Sequence, residues 1–119
     1  AVEVVARPNS QPVADAGPDA TSAGRCSVFL DGGGSSDPDG DRLAYLWTVV
    51  AAPADRRAWL SDTEGPTTRF FADGSGDYEI ELAVHDGQVA SQPDRLTIHV
   101  VGPAADRMCL YQPLLQRAQ

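Results

Sequence analysis

Residues 78–84 read YEIELAV. Tyr78, Ile80, Leu82 and Val84 alternate with Glu79, Glu81 and Ala83, so one side is apolar and the other carries charge. A period of two is the pattern of a β-strand packed on one face and solvated on the other. An amphipathic helix would instead repeat its apolar residues every three or four positions. His85 continues the polar side, and the turn residues Asp86, Gly87 and Gln88 then stop the run.

The same period appears on both sides of this stretch. LAYLWTV (43–49) sets Leu43, Tyr45, Trp47 and Val49 on one face, CSVFL (26–30) does so with Cys26, Val28 and Leu30, and LTIHV (96–100) with Leu96, Ile98 and Val100. Shorter runs at 12–16, 57–60 and 67–72 raise the count to about seven strands. Between them stand DPDGD, EGP, DGSGD and DGQ, whose Asp, Gly and Pro residues favour tight turns. Only the last dozen residues offer a helical period. Many short strands joined by such turns predict an all-β sandwich.

Composition narrows the function. At 119 residues the chain is long enough for one core. A net charge of -8 disfavours nucleic acid and anionic lipid, whose phosphates repel such a surface. All nine basic residues are Arg, which reads as GC-rich codon usage. No apolar run has membrane-spanning length, and no signal peptide is expected among these residues. A first residue other than Met is expected of a processed mature protein or of a piece of a longer one. Cys26 and Cys109 form no metal-binding pattern. They are read as a disulfide of an oxidising compartment, within or between chains, with two buried thiols as the alternative.

PVADAGPDA (12–20), LDGGGSSDPDGD (30–41), LAYLW (43–47) and GDYEIELAVHDGQ (76–88), in this order and spacing, resemble the PKD domain, the polycystic-kidney-disease-type module. The resemblance runs from about Pro12 to Val101. It implies an immunoglobulin-like antiparallel β-sandwich of about seven strands, a secreted or cell-surface location and no catalysis. Trp47 would be the tryptophan between the sheets, with Tyr45 nearby. The chain then divides into an N-terminal strand and linker (1–11), the sandwich (12–102) and a C-terminal tail (103–119).

GGGSSDPDGD (32–41) gathers three aspartates in ten positions, and three readings compete for it. As a plain turn, Asp and Ser cap their own backbone while Pro38 and Gly40 supply the required φ. As a calcium site, Asp37, Asp39 and Asp41 offer the oxygens a hard cation needs. The spacing is not that of an EF-hand, since the twelfth position from Asp37 is Thr48 rather than Glu. The resemblance implies a ligand set of Asn9, Ser10, Asp37, Asp39 and Asp86. A hydrolytic carboxylate pair would need a cleft, which nothing here specifies. No nucleophile elbow, HExxH motif or phosphate loop is present. His85 and His99 are expected on outward faces of neighbouring strands, out of register with one another.

Two departures from the family carry the remaining expectations. VEVVARP (2–8) resembles TIHVVGP (97–103), so the chain opens on a strand of the kind that ends such a module. A lone strand is unstable and must join a sheet edge. It is expected either to pair within its own domain or to enter another copy through Val2, Val4 and Val5. In addition, the phase that turns Trp47 inward turns Phe29 and Leu46 outward, with Trp59 and either Phe70 or Phe71 also exposed. Such a patch suggests a covering partner, for which the tail residues Met108, Leu110, Tyr111, Leu114 and Leu115 are candidates. Sugar binding through Trp59 is the competing use. The expected function is a non-catalytic extracellular structural or protein-interaction module, a self-assembling subunit of a surface filament or array using its N-terminal strand. The alternative is a calcium-stiffened accessory or adhesion domain. The expected partners are other copies, neighbouring modules or an extracellular polymer.

Overall fold

The computed structural model describes residues 9–23 and 27–101. Seven strands follow in order: β1 (Ala20–Ala23), β2 (Val28–Asp31), β3 (Ala44–Ala51), β4 (Ala58–Leu60), β5 (Thr67–Ala72), β6 (Gly76–His85) and β7 (Asp94–Val101). They form a four-stranded sheet, β1-β7-β6-β3, and a three-stranded sheet, β2-β5-β4. Every neighbouring pair is antiparallel except β1 and β7, which run parallel.

The alternation seen in sequence becomes burial. Tyr78, Ile80, Leu82 and Val84 of β6, Leu96 and Ile98 of β7, Trp47 of β3 and Phe70 of β5 are all sealed between the sheets. Each such side chain contributes about 1.5–3 kcal/mol on leaving water. The polar atoms that enter with them are satisfied. Trp47 Nε1 donates to the Gly65 carbonyl at 2.9 Å, and the Tyr78 hydroxyl donates to the Gly74 carbonyl at 2.6 Å. Phe70 meets Tyr78 edge-on, centroids 5.3 Å apart, the arrangement that ring quadrupoles favour.

The outward phase is also as expected: Phe29 is 54% and Leu46 52% exposed, and Trp59 39%. Of the two phenylalanines left open by the sequence, Phe70 is buried and Phe71 lies on the outer face, half-buried.

One strand differs. Residues 12–16 do not form a regular strand; Val13 alone bridges Ser36 and Gln92. Pro12 and Pro18 lack an N–H, and Gly17 turns with φ near 90°, so a continuous ladder cannot form. The strand appears later, as β1, in the small residues ATSA. Side-chain bonds tie the segment before it to β7: Asp94 Oδ2 accepts from Ala16 N at 2.7 Å, and Asp19 Oδ1 accepts from Thr97 N at 2.9 Å.

Candidate functional site

The loop between β2 and β3 and the loop after β6 meet at one end of the sandwich. In the first, Pro38 fixes φ and Gly40 takes φ of 75°, closing a turn in which Gly40 N donates to Asp37 O at 2.9 Å. Asp41 N donates to Asp37 Oδ2 at 2.8 Å. In the second, Gly87 has φ of 99°, and this turn brings Gln88 N and Val89 N to 2.8 and 2.9 Å from Asp86 Oδ1. The entering chain is tied to both loops. Asn9 Nδ2 donates to Asp86 Oδ2 and Ser10 N to Asp39 Oδ2, each at 2.7 Å.

This geometry gathers Asp37, Asp41 and Asp86, one carboxylate oxygen from each lying within 4.8 Å of the others. Asp37 Oδ1 is buried there without a hydrogen-bond partner. A buried carboxylate oxygen with no donor is costly unless something else satisfies it. The charges respond differently. The Val89 N–H, the Asn9 amide and the Gln88 N–H hold the Asp86 carboxyl down at about 2. Partial desolvation, followed by the proximity of Asp37, Asp86 and Asp39, pushes Asp41 above its ordinary value.

The donor set is all oxygen, with no Cys or His in the cluster, which suits calcium or magnesium rather than zinc. The unpartnered Asp37 oxygen is the structural sign that the residues fit such an ion. Of the five ligands implied by the family resemblance, Asp37 and Asp86 are in the cluster. Asp39 Oδ2 accepts from Ser10 N, Asn9 donates its side-chain N–H to Asp86, and Ser10 takes part through its backbone. Asp41, one of the three aspartates of this loop, completes the cluster. Its signal was the loop's alternating aspartates, which gave no means of telling which one faces Asp86.

The other expected residues fall apart from this site. His85 and His99 are both exposed, at opposite ends of β6: His85 pairs with Ala44 and His99 with Asp77. His99 Nδ1 contacts Asp77 Oδ1. On the outer face of the three-stranded sheet, Trp59 and Phe71 stack with centroids 6.0 Å apart. The Arg69 guanidinium lies over the Phe29 ring, 5.6 Å from its centroid, and Nη1 donates to Ser27 Oγ at 3.3 Å. Leu46 is exposed on the other sheet. Val2, Val4, Val5, Cys26, Cys109 and the tail lie outside the described residues.

No helix among the described residues is long and apolar enough to cross a membrane. No curated protein matches the sequence. The family model described as "K319L-like, PKD domain" matches residues 16–100. Among solved structures, a nucleoside hydrolase-related hypothetical protein from Saccharophagus degradans, associated with carbohydrate metabolism, is 28% identical with a TM-score of 0.67. The similarity covers 78% of this chain but only 26% of that one, so this chain corresponds to about a quarter of that protein. The PKD domain of KIAA 1837 protein is 26% identical with a TM-score of 0.63, over 83% of this chain and 97% of that one. With its two-sheet sandwich and a family match across the whole of it, this chain belongs to the PKD domain family, whose members are typically non-catalytic extracellular modules.

Proposed function

We propose that this chain is a calcium-stiffened, non-catalytic module of a larger secreted or cell-surface protein, working as an accessory or adhesion domain. The observation that carries this reading is the buried, unpartnered Asp37 Oδ1 beside the carboxylates of Asp41 and Asp86. A calcium ion would supply the missing partner and offset the desolvation and the repulsion that raise Asp41. Because Asn9 and Ser10 are bound to the same two loops, filling the site would also fix the direction in which the chain enters the domain. The similarity to one quarter of a longer protein associated with carbohydrate metabolism supports the role of one module among several.

Thermal unfolding in EDTA and in calcium tests the proposal. Binding only to the folded state stabilises it by RT ln(1 + [L]/Kd), about 1.4 kcal/mol at ten times Kd and about 5–10 °C in Tm for a domain of this size. The shift should disappear in Asp37→Asn. An unchanged Tm at millimolar calcium would retire the ion and leave a self-capped turn.

A second reading, a self-assembling subunit of a surface filament or array, is favoured by the sheet edge beside the exposed Phe29.

A further inference from the structure

The three-stranded sheet ends on β2, and among the described residues no strand pairs with its outer side. Such an edge presents unpaired N–H and C=O groups that can template another strand. The path of the chain explains the opening. Val13 bridges Ser36 just beyond β2, but after Gly17 the segment crosses to the other sheet and becomes β1 beside β7.

The side chains at this edge show what it would accept. Val28 points toward the core yet is only half-buried, so the corner of the core beside it is incompletely covered. On the outer face Phe29 is exposed, and Arg69 leans over its ring from β5. The Arg69 guanidinium binds the Ser27 hydroxyl and joins none of the ion pairs formed among the described residues. The edge therefore suits a strand with apolar residues inward and a carboxylate outward. Val2-Glu3-Val4 has that order, and the charge of Glu3 complements Arg69.

Direction decides whose strand it is. The antiparallel bridge of Val13 to Ser36, followed back to Asn9 on Asp86, leads away from β2 toward the acidic end of the sandwich. Residues 1–8 precede that point, so reaching the β2 edge of the same copy would require the chain to reverse. A neighbour's edge requires no reversal. We infer that the open edge of β2 receives residues Val2–Ala6 of a second copy, with Val2 and Val4 covering Val28 and Glu3 reaching Arg69. The two surfaces of this contact differ, so it propagates from copy to copy unless it closes into a ring.

Sedimentation of the full chain over a range of concentrations tests this, in calcium and in EDTA so that failure of the ion site is seen separately. Species heavier than a monomer should grow with concentration, and removal of residues 1–8 should abolish them. Arg69→Glu and Glu3→Arg should each weaken association about three- to tenfold, and together restore it. Circular dichroism and thermal unfolding confirm that each variant folds. A chain that stays monomeric at every concentration overturns the inference. So does association that survives both the deletion and the Arg69→Glu exchange.

Discussion

Trp47 lies directly against Gly32. A methyl group at Gly32 would come within 3.0 Å of Trp47 Cζ2, 2.7 Å of Leu82 Cδ2 and 3.2 Å of the Pro66 carbonyl. The backbone N–H of Gly32 is meanwhile held by that carbonyl at 2.7 Å, so the strand cannot move aside. Gly32→Ala should destabilise the fold by about 1–3 kcal/mol through overpacking, seen as a lower urea midpoint with an unchanged m-value.

Tyr78 makes a second, polar test of the same core. Its hydroxyl reaches the Gly74 carbonyl from a fully buried ring. Tyr78→Phe keeps the ring and its edge-on contact with Phe70 but removes the donor. The expected loss is about 1–2 kcal/mol, readable by denaturant unfolding.

Asp41 has a raised affinity for a proton, through partial desolvation and then through the neighbouring carboxylates of Asp37, Asp86 and Asp39. A group whose folded pKa is raised in this way destabilises the ion-free fold at neutral pH, and the penalty fades as pH falls through that pKa. Asp41→Asn should therefore raise Tm in EDTA at pH 7 and at the same time reduce the calcium-dependent shift. Calorimetric scans of both proteins with and without the ion separate the two effects.

Asp86 has the opposite sign. Its folded pKa of about 2 lies below the ordinary 3.8. The stabilisation it gives is present above about pH 4 and is lost as pH falls from there toward 2. In EDTA, Asp86→Asn should destabilise the protein at pH 7 and flatten the acid limb of its stability curve below pH 4. A Tm measured from pH 7 to pH 2 checks both.

What was legible in the sequence was whatever rests on alternation. The phase of YEIELAV and LAYLWTV placed Tyr78, Ile80 and Trp47 inside and Leu46 outside, because burial of one strand face forces a period of two. The 67–72 run is β5 at the same bounds. β1 left no such trace, since ATSA has neither large side chains nor alternating polarity. The segment before it is tied to β7 by Asp19 and by Asp94, which lies far along the chain. The choice between Phe70 and Phe71 needed the register of β5 on β2, where Phe70 faces Val28.

In the acidic cluster Asp37 and Asp86 were legible, but the choice between Asp39 and Asp41 was not. Alternating aspartates in a Gly-Pro loop announce concentrated negative charge. Which carboxylate faces Asp86 depends on the turn at Gly40 and on Ser10 N having taken Asp39. These are tertiary facts, set by the path of the entering chain.

The parallel pairing of β1 with β7 has a mechanical consequence. The chain comes in beside Asp86, at one end of β6, and β7 ends at Val101, beyond Val100, which lies opposite Gly76 at the other end. Tension transmitted through a string of such units would draw β1 and β7 in opposite directions along their common axis. Their backbone bonds would then carry the load together in shear instead of peeling one at a time. Between the point of pull and that clamp stand Asn9 and Ser10, so the rung that yields first under force is the one fastened to the acidic loops.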